Sequence, residues 1–381
     1  MSAHSILPPS GAKAWRQCAM WPTMNRLYPK PDTPETLEGT AAHWAFVELF
    51  EGRQIDEGLI APNGVMLTGE MVDGAELYVD AARSRLPTGV ALNIEQPVAI
   101  PCVHPECWGT PDTWFYDESG ATLNVFDYKF GHRFVDEYEN DQGIAYIAGI
   151  IDHQAERLGV APGHLDQCVK VNFTVVQPRC FQRGAPVRTW TVRASDLRAH
   201  VNQLANAAGR AMAPNPTATT NSECRDCPGR AHCPALQQAA YSDAEFSYTG
   251  SPHELPPVAA SLELRMMERA LERLNARVDG LKEAVTTYGR QGLALPYHKL
   301  EQGYGRQQWT LPPDQVLAIG SMMGVDLSKP AVMTPKQAVK SGVDAAVISA
   351  YTATPMGSVK LIPCNPADAR RVFGIVSNQE S

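Results

Sequence analysis

Two residues of opposite charge, Asp127 and Lys129, sit two apart in the apolar run LNVFDYKFG. Side chains alternate along a strand, so both project from one face, beside Val125. They form either a salt-bridged strand end or half of a site that needs both charges. Upstream, Asp112 follows a Gly-Thr-Pro turn in WGTPDTW. If the two strands pair, Asp112 and Asp127 approach at one edge of the sheet, with Lys129 alongside. Converging carboxylates repel, and a divalent cation that prefers hard oxygen ligands relieves the repulsion. Mg²⁺ or Mn²⁺ held there lowers the pKa of a bound water and stabilises a phosphorane-like charge. Lys129 then orients or deprotonates that water, or neutralises the developing negative charge. Taken singly, each fragment reads more simply as a solvated strand end or a turn.

A second constellation is Cys224-x2-Cys227-x5-Cys233, in CRDCPGRAHC. Clustered thiols in a reducing compartment indicate metal more often than disulfides, and the total of nine cysteines is odd. A tetrahedral Zn²⁺ site wants a fourth ligand, which His232 or a distant cysteine would supply. The run CVHPEC (Cys102, His104, Cys107) is a candidate small knuckle, although a plain loop accounts for it as well. Cys168, Cys180 and Cys364 are scattered.

The elements that must position these groups follow from periodicity. From Glu35, ETLEGTAAHWAFVELFEG reads as a helix with His43, Val47 and Phe50 at helical spacing, and a second helix covers Gly69 to Leu86. Three strand-like runs follow, ALNIEQPVAI, TPDTWFYD and TLNVFDYKF, separated by turn residues as in an antiparallel meander. NDQGIAYIAGIIDHQAERLG is a helix, and QCVKVNFTVVQPR and PVRTWTV are two more strands. ASDLRAHVNQLANAAGRAM is a helix with Ser195 as its N-cap. The order α-βββ-α-β predicts a mixed α/β core, not an alternating doubly wound sheet.

The order GTPD, then DYK, then QGIAY resembles the RecB-like branch of the PD-(D/E)xK nuclease superfamily. In that branch an upstream helix carries a histidine in a GTxxH context, matched here by EGTAAH and His43. Gln142 and Tyr146 match its Q-x3-Y helix motif, and at i and i+4 they share one helical face. The resemblance implies a restriction-endonuclease-like α/β core, a mixed central sheet flanked by helices. It implies that His43, Asp112 and Asp127 ligate Mg²⁺ or Mn²⁺ and that Lys129 is the catalytic lysine. Gln142 and Tyr146 would position the DNA backbone or the site, and Glu95 is a further candidate carboxylate. RecB-like nucleases with an iron–sulfur cluster combine three C-terminal cysteines with one before the first helix. The resemblance therefore implies a 4Fe–4S clasp on Cys18, Cys224, Cys227 and Cys233, with Zn²⁺ as the alternative occupant.

The implied activity is metal-dependent hydrolysis of DNA, as an exonuclease on linear ends in phage recombination or DNA processing. The implied partners are DNA and a single-strand annealing protein. The rival readings are a catalytically silent DNA-binding protein and a zinc-stabilised assembly protein of the same fold. The net charge of −8 demands a locally basic groove for any DNA contact. No apolar run approaches the length of a membrane span, and the first residues do not read as a signal peptide, so a cytoplasmic location in a bacterial or phage-infected cell is expected.

The nuclease domain is expected over 1–250, with an accessory, mainly helical region over 251–381. In that region Leu264, Met267, Leu271, Leu274, Val278, Leu281, Val285 and Tyr288 form a heptad stripe on a helix spanning 258–290. The stripe would pair two copies or, as the commoner outcome for so few heptads, pack within the chain. The lysines of MTPKQAVKSG and SVKLIP, and the arginines of ADARRVF, would touch DNA or decorate a solvated surface.

Overall fold

The computed structural model describes residues 5–180, 185–244 and 256–293, together with 295, 298 and 300. Short helices α1 (Ala12–Gln17) and α2 (Trp21–Leu27) open the chain, followed by α3 (Pro34–Phe50) and α4 (Gly69–Arg83). Strands β1 (Asn93–Ile94), β2 (Val98–Ala99), β3 (Trp108–Gly109), β4 (Thr113–Asp117) and β5 (Thr122–Tyr128) come next. Helices α5 (Asp141–Leu158) and α6 (Pro162–Cys168), strands β6 (Lys170–Val176) and β7 (Val187–Arg193), and helix α7 (Arg198–Ala211) complete the sheet layer. Helices α8 (Pro234–Ala244) and α9 (Pro257–Arg290) follow. The compact unit that carries this fold runs through Tyr288, and a second unit begins at Gly289.

The five-stranded sheet has the order β1-β4-β5-β6-β7, in which β5 and β6 are parallel and the other neighbours antiparallel. It is a mixed sheet with helices on both faces. Alternation along β5 divides the core. Leu123 and Val125 face Ile144 and Ile147 of α5, Leu204 of α7 and Trp15 of α1. Phe126 and Tyr128 face Phe46 of α3 and Met71, Tyr78 and Val79 of α4. Each such fully buried apolar side chain contributes roughly 1.5–3 kcal/mol.

Helix starts are set by local chemistry. Thr33 and Thr36 form a reciprocal capping pair at α3, with Pro34 at the first helical position. Asn140 Oδ1 accepts from Gly143 N at 3.0 Å and starts α5, which ends at Gly159 in the left-handed region, φ +67°. Such a cap stabilises a helix by about 1 kcal/mol. Gly143 has a second role. A Cβ there would lie 2.6 Å from the Phe173 ring of β6, so only glycine lets the first turn of α5 sit flush on the sheet.

Several sequence expectations are corrected. ALNIEQPVAI is not one strand: Glu95 adopts φ +44°, and the kink sends Asn93–Ile94 to the main sheet and Val98–Ala99 to a separate pair with β3. The meander survives only as β1-β4-β5. Gln167 and Cys168 end a helix, α6, so the next strand begins at Lys170, because Pro162 and the turn before it start a helix instead. Ser195 does not cap α7. It lies in a 3-10 turn, Ala194–Leu197, that leads directly into the helix, and its hydroxyl bonds Asp196.

The heptad helix is present as α9, but its stripe is turned outward. Leu271, Val278 and Leu281 are exposed, whereas Ala276 and Gly280 are buried, the latter against the Ala231 backbone. Among the other stripe residues, Leu274 and Val285 are half-buried. The small face docks because Arg277 Nη1 reaches the Ala231 carbonyl and Arg273 pairs with Asp243. MTPKQAVKSG, SVKLIP, ADARRVF and Cys364 lie outside the described residues. No described helix is long and apolar enough to cross a membrane.

Candidate functional site

The carboxylate site forms where β4 begins and β5 ends. Asp112, just before β4, is half-buried, with its side chain 11% exposed, and its Oδ2 accepts the Tyr128 backbone N–H at 2.6 Å. The Asp112 carbonyl in turn accepts the Glu95 N–H at 2.9 Å. The kink at Glu95 thus stays tied to the strand start. From the face carrying α3, His43 brings Nδ1 to 3.5 Å from both Asp112 Oδ1 and Glu95 Oε1. The imidazole is held between the rings of Phe46 and Tyr128, with centroids at 5.3 and 5.5 Å.

From the opposite face, α5 contributes Gln142. Its Nε2 donates to Asp127 Oδ1 at 3.0 Å, and its Oε1 accepts from Lys129 Nζ at 3.3 Å. Lys129 Nζ also donates to Asp127 Oδ1 at 3.0 Å. One turn on, the Tyr146 hydroxyl donates to the Thr110 carbonyl at 3.1 Å and pins the Gly-Thr-Pro turn that presents Asp112. Asp127 and Lys129 do share a face, as strand alternation requires. Asp127 is 4% exposed, and its second oxygen, Oδ2, is buried without a hydrogen-bond partner. An orphaned carboxylate oxygen is costly unless a cation completes it.

Charge follows burial here. Burial pushes the Asp112 carboxyl up to about 6, against the pull of His43 and with the nearby Asp127 charge adding to the rise. Burial opposes protonation of His43, but Asp112 and Glu95 outweigh it and raise the imidazole above its ordinary value. Burial likewise opposes the Lys129 ammonium, and Asp127 and Asp112 more than restore it. The groups thus hold one another in charged or shared-proton states.

Ligand atoms of His43, Glu95 and Asp112 all lie within 4.8 Å of one another, the only such group of three among the described residues. One imidazole and two carboxylates suit a divalent cation of the Mn²⁺ or Mg²⁺ kind. Glu95, a secondary candidate in the sequence, belongs to this group, while Asp127 sits beside it, bonded to Lys129 and Gln142. The sequence signal for Glu95 was hidden because a strand through residue 95 would have aimed it by alternation, and the kink aims it instead.

Cys18, Cys224, Cys227 and Cys233 line one small cavity of about 20 Å³. Backbone N–H groups of Thr219 and Asn221 point at Cys18 Sγ and Cys224 Sγ, at 3.5 and 3.4 Å. Burial raises the thiols of Cys224 and Cys227, the latter to about 11. His232 is stacked on Tyr28, centroids 4.4 Å apart, and does not line the cavity. At the other cysteine pair, Cys107 is buried and Cys102 exposed, and His104 Nδ1 accepts the Glu106 N–H in a tight turn.

The family described as "Protein of unknown function (DUF2800)" matches residues 4–364, and the chain belongs to that family. No curated protein matches. Among solved structures, the chain is similar to one named "Putative exonuclease" from Eubacterium rectale, at 8% identity. The likeness covers 66% of this chain and 91% of that one, with a TM-score of 0.27, too low to bear on fold or function.

Proposed function

We propose that this DUF2800 chain is a metal-dependent deoxyribonuclease of the RecB-like PD-(D/E)xK type, acting as an exonuclease on linear DNA. The observation that carries the reading is the convergence of His43, Glu95 and Asp112 beside Asp127 and Lys129. Five chemistry-bearing side chains from four separate segments meet where a solvated strand end would need none. The orphaned Asp127 oxygen supports a cation reaching that side as well.

A Mg²⁺ or Mn²⁺ ion would be held by His43, Glu95 and Asp112, with Asp127 adjoining, and would supply an activated water and stabilise charge on phosphorus. The protein's own part is positional. Lys129, kept as an ammonium by Asp127, neutralises charge developing on the phosphate oxygens and orients the water. Gln142 fixes both members of that pair. Tyr146 holds the turn before Asp112, so this residue and Gln142 set the site more directly than they grip DNA.

The four cysteines that line one cavity are read as ligands of a 4Fe–4S cluster, with Zn²⁺ as the alternative occupant. The amide donors at Cys18 and Cys224 suit cluster ligation, where hydrogen bonds to sulfur tune the centre. A second copy pairing along the outward stripe of α9 would make an oligomer, and a single-strand annealing protein fits the recombination setting that the resemblance implies.

The test uses end-labelled linear DNA beside closed circular DNA, with Mn²⁺ or Mg²⁺, and Lys129→Ala as control. Loss of the linear substrate alone, abolished by the substitution, is the expected result. Cutting of both forms replaces the exonuclease with an endonuclease. No cutting by cluster-loaded protein sinks the enzyme and leaves a binding protein.

A further inference from the structure

Two ion pairs link segments next to the cysteine cavity with segments next to the carboxylate site. Arg16, two residues before Cys18, gives its Nη1 to Asp141 Oδ1, with side chains 34% and 10% exposed. Asp141 is the first residue of α5 and the neighbour of Gln142, whose amide spans Asp127 and Lys129. On the other flank, Arg133 pairs with Asp226, which lies between Cys224 and Cys227. That pair is 69% and 49% exposed, so solvent screening leaves it a minor link. Lys13 of α1 also pairs with Glu223, which lines the cavity.

We propose that Asp141, held by Arg16, is a positioning residue through which occupancy of the cysteine cavity sets the Gln142–Asp127–Lys129 network. The inference rests on the nuclease reading above and adds a route of control to it. Trp15 is fully buried and its Nε1 bonds the Pro8 carbonyl, so the body of α1 is anchored without help from the cavity. The last turn of α1 carries Arg16 and leads straight into Cys18, which lines the cavity, so on this proposal the end of the helix answers to what the thiols hold. When the cavity empties, Arg16 loses its fixed position and the first turn of α5 is released. The two Gln142 bonds are 3.0 and 3.3 Å, so a shift of about 1 Å at that turn breaks them, and misplacement of that size costs on the order of 10²-fold in rate.

The test compares cluster-loaded wild type, wild type stripped by chelator, and Asp141→Asn in both states. Three quantities are read: amide exchange over residues 140–146, Mn²⁺ binding by EPR, and cleavage kcat and KM. In wild type, stripping is expected to speed exchange over 140–146 and lower kcat by roughly 10–100-fold, with KM changed little. Asp141→Asn, with its visible spectrum intact, is expected to start in that fast-exchanging, slow-turnover state, and stripping then adds less than about twofold. Reversing the pair, Arg16→Asp with Asp141→Arg, should restore protection that either single change removes. Unchanged exchange in Asp141→Asn, an equal stripping effect in the variant, or a wild type purified with an empty cavity each overturns the proposal. Exchange and Mn²⁺ binding need no cleavage, so a failed nuclease reading shows as absent turnover with the coupling still measurable.

Discussion

The carboxylate site and the cysteine cavity differ in what builds them. His43 stands on a capped helix of 17 residues, and Asp112, Asp127 and Lys129 stand at ends of paired strands. Their mutual contacts are 3.0–3.5 Å. The cysteines come instead from the end of a six-residue helix, a 3-10 turn and the approach to α8. The first site is held by sheet and core, the second by short elements and the turns between them.

That contrast can be broken most sharply at Asp112. Asp112→Asn should lower cleavage by about 10²–10³-fold and abolish tight Mn²⁺ binding, while thermal unfolding and the visible spectrum stay as in wild type. A lost spectrum in that variant would mean the two sites are not separately built. Next in size, chelating the cavity metal should lower Tm by roughly 5 °C or more, whereas EDTA acting only on the carboxylate site should move it by about a degree. Equal shifts would erase the distinction.

Glu95→Gln should weaken Mn²⁺ by about tenfold, as loss of one of three ligands from a site that keeps its shape, with kcat at saturating Mn²⁺ partly retained. Protonation sharpens the same point. His43 is raised above its ordinary 6.5 and the Asp112 carboxyl is pushed up to about 6, so a cation must displace a proton from His43 first and from Asp112 at lower pH. Affinity for Mn²⁺ should be flat near pH 8 and fall as pH drops through 6, measured by EPR titration. The smallest effect concerns α9. Leu271→Glu should leave both sites untouched and shift the oligomeric state seen by light scattering from dimer towards monomer, and a wild type that is monomeric throughout refutes pairing along the stripe.

Much of the carboxylate site was legible because its residues fall on regular periods. Asp127 and Lys129 share a face by strand alternation, and Gln142 and Tyr146 share one by helical spacing. Asn140 and Gly159 mark the ends of α5 in plain capping chemistry. What escaped was irregular or distant. The positive φ at Glu95 breaks a run that reads as continuous strand, and nothing in local hydropathy announces such a kink. The pair Arg16–Asp141 joins residues 125 positions apart, beyond any spacing rule. The α9 stripe was read correctly as periodic, but periodicity does not say which face the body takes, and the small side chains at 276 and 280 decided it.

The parallel pairing of β5 with β6 has a consequence in time. Parallel neighbours cannot be joined by a hairpin, and here the crossover between them is the segment that carries Gln142. Closing that loop costs chain entropy before any strand pairing offsets it, which makes such contacts late events in folding. Gln142 thus reaches Lys129 only after the sheet has zipped across the crossover. A chain emerging from the ribosome holds Asp112, Asp127 and Lys129 for the whole of that interval without the helix that aligns them. Alignment of Asp127 and Lys129 by Gln142 is thus one of the last acts of folding.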